Sequence, residues 1–386
     1  MRFLYFVFCI LSFFKSFAQE LVPFQLGDHY GYKNRATGAV ALPAVYDQAA
    51  PFSEDLAIVT RQKKTFFIDA AGNPKLNLKY DSAYSFSEGL SAIRKDTIMG
   101  YMNKNGLITI PMKFNKASSF SEGMAVVAKA GKYGFIDKTG KVIVPLQYEF
   151  AFEFSDGMAA VKKDGKFGYI DKKGKTIIPH QFQEAGNFSS GVAIVKKAEK
   201  YGIIDKADKT LLPIEYDWAS LYSENMVRVM KGDKWGYADR SGKLIVPLNY
   251  DWAGDFKEGR GKIKKAGKYG FVDLAGNEVI KAEYDYAEDF YNNGLVMVMK
   301  NFTWGCLDKD GNVSSPFKYK ANRNFSEDLA VVIDNGKYGY IDRTGKIAIP
   351  FDYDYAYDFN SGWAEVVVED HDFYIDKTGK CVKYCK

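Results

Sequence analysis

One phrase dominates this chain: an aromatic residue, a glycine, an aromatic or apolar residue and then an aspartate, recurring at an almost constant interval. The glycine of the phrase falls at Gly31, Gly100, Gly134, Gly168, Gly202, Gly236, Gly270, Gly305 and Gly339. Every complete step from Gly100 to Gly270 is 34 residues, as is the step from Gly305 to Gly339; the step from Gly270 to Gly305 is 35. Phe66 and Phe373 hold the same phase in two degenerate copies, and the extra residue lies in Tyr291-Asn292-Asn293-Gly294, a loop, where insertions are tolerated. About eleven copies fill the chain. A fixed short period means that each copy is one supersecondary unit, too small to bury its own apolar face, so copies must stack and share a core.

The copy Tyr133-Gly134-Phe135-Ile136-Asp137-Lys138-Thr139-Gly140-Lys141-Val142-Ile143-Val144-Pro145 shows how a unit is built. Two short apolar strands flank Asp-x-x-Gly, the pattern of a type I turn closed by a left-handed glycine, and hence a hairpin. The same turn returns as Asp171 with Gly174, Asp239 with Gly242, Asp273 with Gly276, Asp308 with Gly311, Asp342 with Gly345 and Asp376 with Gly379. A proline five residues after the glycine, as at Pro145 and Pro179, is expected to stop the second strand, because it cannot donate to a ladder. Next, Tyr148, Ala151 and Phe154 are spaced by three, which predicts a corner of one helical or 3₁₀ turn. After Gly157, Met158 to Lys163 reads as a third strand, and Asp164-Gly165 turns the chain into the next copy. The expectation is three strands and a corner per repeat.

The aromatic-Gly phrase followed by Phe-Ile-Asp-x-x-Gly-Lys-x-x-x-Pro resembles the bacterial WG (KWG) repeat family, with Trp235-Gly236 and Trp304-Gly305 carrying the literal motif. The resemblance spans residues 30 to 380 and implies a tandem β-repeat array with no general chemistry attached. The fold class read here is all-β, a β-solenoid or superhelical hairpin stack. The alternative is β-propeller-like closed rings, disfavoured because a blade usually takes four strands and about 40 residues or more. The end copies are atypical, as caps should be: Asn34-Arg35-Ala36-Thr37-Gly38 carries an extra residue, and Asp372-Phe373 replaces aromatic-Gly. The organisation expected is a signal peptide over 1–18, a lead-in over 19–29, the array over 30–380 and a tail over 381–386.

The signal peptide rests on Arg2, the apolar run from Phe3 to Phe14, and Ser16-Phe17-Ala18 as a small-x-small cleavage site, with Lys15 a departure from the usual pattern. Export to the periplasm, the cell surface or the medium follows. No later stretch reaches the roughly 20 apolar residues of a spanning helix, so no membrane span is expected after cleavage. Losing Arg2 and Lys15 lowers the formal charge from +5 to +3, spread along the chain without a basic patch, which argues against nucleic acid as a partner. In an exported protein Cys381 and Cys385, four apart, are candidates for a disulfide, leaving Cys306 unpaired and buried.

Aromatic residues make up 16% of the chain whereas histidines number three, a balance that favours packed pleated surfaces over acid-base machinery. The recurring Asp137, Asp171, Asp205, Asp239, Asp273 and Asp342 read as turn caps rather than catalytic carboxylates. Asp308-Lys309-Asp310-Gly311-Asn312 falls on the same turn and lacks the distant glutamate of a calcium loop. His29, His180 and His371 sit at unrelated phases, no nucleophile elbow is present, and the glycines occur singly rather than as a phosphate cradle. No catalytic residue, metal or cofactor is therefore assigned. The informative variation lies at the position before the corner alanine, which holds Gln48, Ser82, Lys116 and Glu184 in some copies and Phe150, Trp218, Trp252, Tyr286 and Tyr355 in others. Stacking of repeats would bring such rings into line as a binding stripe, or would pack them against the next repeat. The function expected is a non-enzymatic binding or scaffold module for a protein or a cell-envelope glycan. A purely structural spacer is the alternative, and an uncharacterised hydrolase the second.

Overall fold

The computed structural model describes residues 21–35, 38–290, 294–322, 325–360 and 362–385. The segment read as a signal peptide, Ala36-Thr37 of the first hairpin and Tyr291-Asn292-Asn293 of the inserted loop lie outside them. The described residues contain no helix, and all their regular structure is antiparallel sheet. The chain divides into two compact units, Met1–Gln147 and Tyr148–Lys386.

The first unit opens with a three-stranded sheet, Leu21–Leu26, His29–Asn34 and Val40–Tyr46, so part of the expected lead-in is itself a strand. Four-stranded sheets follow over 48–77, 82–114 and 116–148. The second unit carries seven four-stranded sheets, over 150–182, 184–216, 218–250, 252–284, 286–319, 321–353 and 355–383, the last edged by Cys381–Lys383. In every sheet the strands lie side by side in chain order. Eleven all-β tandem units among the described residues match the expected fold class, with one revision: ten of the sheets have four strands rather than three, and only the first has three. A four-stranded meander is a propeller-type blade, so of the two architectures weighed it is the propeller-like one that matches.

The fourth strand is the stretch read as a helical corner. In the sheet over 150–182 it is Phe150–Ala151, paired as Phe150 to Lys162 and Ala151 to Val161. The Glu149 N–H donates to the Lys162 carbonyl, Phe152 to Ala160 and Ser155 to Met158, each at 2.9 Å, so the chain from 149 to 155 runs beside the next strand throughout. The equivalent Trp252–Lys257 shows how a spacing of three arises in extended chain: Ala253 faces Ile263 and Phe256 faces Gly261, three residues against two. A bulge adds one residue and restores the inward direction three positions on, which imitates a helical period.

Thirty-four residues suffice for a blade because the turns are minimal. Asp156 and Gly157 (φ 53° and 79°) and Asp164 and Gly165 (φ 50° and 75°) form two-residue hairpin turns with both central residues left-handed, the geometry that suits the twist of paired strands. The third connection is the Asp-x-x-Gly hairpin as read. The Gly174 N–H donates to the Asp171 carbonyl at 2.9 Å, and Asp171 Oδ1 accepts the N–H groups of Lys173 and Lys175, also at 2.9 Å.

The expected stop at proline is not observed, since Pro179 lies inside the strand Thr176–Phe182. That strand is the edge of its sheet, where a missing N–H breaks no ladder, and its register against Lys166–Asp171 shifts around the proline. The bulged edge presses onto Gly168: a Cβ there would lie 2.6 Å from the Ile178 carbonyl oxygen and 2.8 Å from the His180 nitrogen. This contact explains why the glycine of the phrase recurs. No other residue admits the neighbouring backbone so closely.

Within each unit, consecutive sheets bury their faces on each other. One core joins Met158, Ala160, Tyr169, Ile178 and Phe182 of one sheet to Ala185, Phe188, Ala193, Val195 and Ile204 of the next. At roughly 1.5–3 kcal/mol for each large buried side chain, this shared layer is what holds neighbouring repeats together. Polar staples fix the register. Ser155 Oγ donates to the Phe188 carbonyl (2.6 Å), Asp156 accepts the Gly191 N–H (2.7 Å) and the Tyr169 hydroxyl donates to the Gly186 carbonyl (2.8 Å). The serine staple recurs from Ser53 to Phe86 and from Ser87 to Phe120 in the first unit, and from Ser223 to Phe256 and from Ser326 to Phe359 in the second.

Candidate binding surface

Most recurring polar residues are thus consumed by the fold. The turn aspartates cap their own hairpins, and Asp308 does the same through the N–H groups of Asp310 and Asn312. The Ser241 hydroxyl and backbone N–H donors hold the carboxyl of Asp239 below its usual range, and Thr139 does so for Asp137. Among the described residues no group of three or more His, Cys, Asp or Glu is placed to hold a metal ion. The histidines belong to three different sheets. His29 lies 3.9 Å from Asp47, His180 stacks on Tyr148 with its pKa lowered chiefly by burial, and His371 bonds to the Tyr384 carbonyl. Cys381 and Cys385 are joined as a disulfide, and Cys306 is free, buried and raised to a pKa of about 12 by that burial.

The aromatic corner residues are among the large apolar side chains that the fold leaves near the surface. Each sits at the start of its sheet, opposite the fifth residue of the following strand: Trp252 opposite Lys264, Tyr286 opposite Met299. That residue in turn lies opposite the aromatic of the aromatic-Gly phrase, as Lys264 does to Tyr269 and Met299 to Trp304. Cross-strand neighbours project from the same face, so the corner ring and the phrase ring share it. The result is a continuous row in the second unit: Trp252 to Tyr269 at 6.3 Å between ring centroids, Tyr269 to Tyr286 at 5.8 Å, and Tyr286 to Trp304 at 5.6 Å. These separations and the edge-on angles are those of favourable ring pairs.

The other corner rings form shorter groups. Trp218 packs on Trp235 at 5.2 Å, Tyr355 on Tyr338 (4.9 Å) and Tyr357 (5.0 Å), and Phe150 on Phe152 (4.9 Å) and Phe167 (6.3 Å). Exposure differs along the set. Trp252 and Tyr286 keep 36% and 41% of their surface in solvent, whereas Phe150, Trp218 and Tyr355 are half-buried. The rings therefore do two things at once, packing on neighbouring rings and keeping part of their surface in solvent. The phrase aromatics Phe167, Trp235, Tyr269, Trp304 and Tyr338 are the members that the sequence pattern did not reveal. Strand parity was the available signal: on a three-residue corner the register could not be counted through.

Cations line the same face. The Arg228 guanidinium lies 5.1 Å from the Trp218 ring centre, Lys264 4.7 Å from that of Tyr269, and Lys262 5.8 Å from that of Trp252. Arg228 pairs with Asp255 at 2.8 Å, and Lys262 with Asp289 at 2.7 Å. Burial opposes ionisation of Asp289, but bonds from Lys257 and Lys262 outweigh it and keep its carboxyl below the usual range. The surface is therefore aromatic, studded with charges that are largely compensated.

An all-β array of propeller-type sheets, with its variation concentrated in surface rings, defines a tandem-repeat protein. Ten segments, 30–64, 66–96, 99–133, 133–167, 167–201, 201–235, 235–269, 269–301, 304–338 and 338–370, match the family model described as WG containing repeat, and the chain belongs to that family. No curated protein sequence matches it. Among solved structures it is similar to a eukaryotic initiation factor (11% identity, 76% of this chain and 84% of that one, TM-score 0.42). It is also similar to the extracellular domain of a one component system of B. thetaiotaomicron (11% identity, 94% and 69%, TM-score 0.28). A third is PorZ, a bacterial surface component of the type-IX secretion system of Porphyromonas gingivalis (10% identity, 80% and 52%, TM-score 0.27). No helix among the described residues is long and apolar enough to cross a membrane.

Proposed function

We propose that this chain is an exported, non-enzymatic binding module that engages a protein or a cell-envelope glycan along its aromatic row. The observation that carries the reading is the run Trp252, Tyr269, Tyr286, Trp304, whose two corner rings keep more than a third of their surface in solvent. Large exposed rings in a contiguous group mark interaction surfaces, and rigid rings lose little entropy when a partner covers them. Export is supported by the N-terminal apolar segment and by the Cys381–Cys385 disulfide, a bond that persists in oxidising compartments. The turn aspartates support binding over catalysis, being committed to backbone N–H groups.

The test is capture of partners from solubilised envelope fractions by the full chain and by its Trp252→Ala/Tyr286→Ala variant. Loss of capture with an unchanged melting curve supports the reading. Undiminished capture by the folded variant refutes it and favours a spacer role.

A further inference from the structure

The set of corner rings has a gap. In the repeat over 184–216 the corner position holds Glu184, where the flanking repeats hold Phe150 and Trp218, and two residues on stands Gly186, where other repeats carry Phe152, Tyr84 or Tyr357. The space those rings would fill is a groove of about 330 Å³ lined by Phe152, Phe167, Gly186, Ile194, Lys196 and Tyr201. That volume is at the small end of ligand clefts, which run from about 300 to 1,000 Å³. One wall is a cluster of three rings: Phe152 lies 4.9 Å from Phe150 and 6.0 Å from Phe167. The other boundary is Tyr201. Between the sheets over 252–284 and 286–319 one ring spans the equivalent space: Tyr286 touches Tyr269 of the preceding sheet and Trp304 of its own. The groove is therefore a missing rung, open to one ring from outside.

Its mouth is polar. Glu184 accepts from the Tyr201 hydroxyl and from Lys196, both at 3.1 Å, and Lys196 also pairs with Glu199 at 2.9 Å while lying 5.3 Å from the Tyr201 ring centre. The Glu184 side chain is 57% exposed, and a carboxylate has about four lone-pair sites, so acceptor capacity remains beside the apolar floor. We infer that this groove binds one pyranose ring of a neutral glycan chain, a reading that rests on the aromatic row being a binding surface. The C–H face of the sugar lies against Phe152 and Phe167, and its hydroxyls donate to Glu184 and accept from Lys196. A phenyl side chain would fill the floor but leave the mouth groups unmatched, and an indole would bring one donor and no acceptor, whereas a pyranose carries several hydroxyls that both donate and accept. An anionic sugar would meet Glu184 and Glu199 as well as Lys196 and Lys162, the latter 5.6 Å from the Phe167 ring centre, and these opposed charges give it no net attraction.

The fold itself supplies the plugging variant. Gly186 has ordinary negative φ, and a Cβ there would lie 3.5 Å from the Ile194 oxygen, an unstrained contact. Tyr84 and Tyr357 already occupy this position in their own repeats. Gly186→Tyr therefore fills the groove without disturbing the sheet, and Glu184→Phe restores the missing rung.

The full chain is titrated with neutral hexasaccharides of glucose, mannose, galactose and N-acetylglucosamine, with an oligogalacturonate and a Trp-containing peptide as comparisons. The expected result is saturable binding of at least one neutral sugar, weakened tenfold or more by Gly186→Tyr and by Glu184→Phe, with melting curves unchanged. Absence of neutral-sugar binding, or preference for the oligogalacturonate or the peptide, overturns the proposal. Sugar binding that survives both plugging variants but is lost in Trp252→Ala/Tyr286→Ala also overturns it, while leaving the aromatic row as the binding surface. Survival in all three variants overturns both.

Discussion

Replacing the glycine of a single repeat phrase by alanine tests the packing that shapes every sheet. At Gly236 a Cβ would lie 2.4 Å from the Val246 carbonyl oxygen, 2.9 Å from that of Pro247 and 3.0 Å from the Pro247 carbonyl carbon. All three are backbone atoms of the bulged edge strand Leu244–Tyr250, so no side chain can swing aside. Overpacking a core typically costs 1–3 kcal/mol, and a clash with fixed backbone belongs at the top of that range, so Gly236→Ala is expected to cost about 3 kcal/mol. For a unit of this size that corresponds to a melting point lower by roughly 6–12 °C. Gly186→Ala is the matched control. Its Cβ meets only ordinary contacts, and removing a glycine from the unfolded chain stabilises by about 0.4–1 kcal/mol where the backbone permits it. Urea and thermal unfolding, followed by tryptophan fluorescence and circular dichroism, compare the two. If Gly236→Ala unfolds within about 0.5 kcal/mol of the parent, the close approach of the edge strand is not what demands glycine there.

Three further outcomes follow from the same geometry. Ser155→Ala removes the staple to the Phe188 carbonyl and should cost about 1 kcal/mol in urea unfolding, with no change in secondary structure. Tyr237→Phe keeps a ring that the next repeat already tolerates as Phe271, but strips the donor from the Gly254 and Lys262 carbonyls (2.6 and 3.0 Å); a loss of about 2 kcal/mol is expected. Asp69 titrates near 2 instead of its ordinary 3.8: burial of the carboxyl opposes this, and bonds from Lys75 and Asn73 outweigh it. With the folded pKa below the unfolded one, its contribution is present above about pH 4 and lost as pH falls towards 2, so Asp69→Asn should flatten the acid limb of a melting-point profile.

The hairpin was legible in the sequence because its signal is local: Asp171 and Gly174 lie three apart and need no distant partner. The first strand of each sheet was not. Its ladder bonds run from residues such as Phe152 to Ala160 across a bulge, and a bulge turns the two-residue alternation of Ala151 and Phe154 into a three-residue spacing that mimics a helical turn. The prolines misled for a related reason, since Pro179 ends a strand only if both sides must pair, and an edge pairs on one. The corner rings could be found from their variation among copies. Their partners in the row, Tyr269 and Trp304, could not, because they belong to the most regular phrase in the chain and share a face with the corner only through a register the bulge conceals.

The central claim, that the aromatic row is a surface a partner covers, is tested most directly by oxidative footprinting of the full chain with and without a solubilised envelope extract, read residue by residue by mass spectrometry. Trp252 and Tyr286 should lose reactivity when the extract is added, while Trp363, half exposed but outside the row, should not. Unchanged reactivity at Trp252 and Tyr286, or an equal loss at Trp363, would contradict the account.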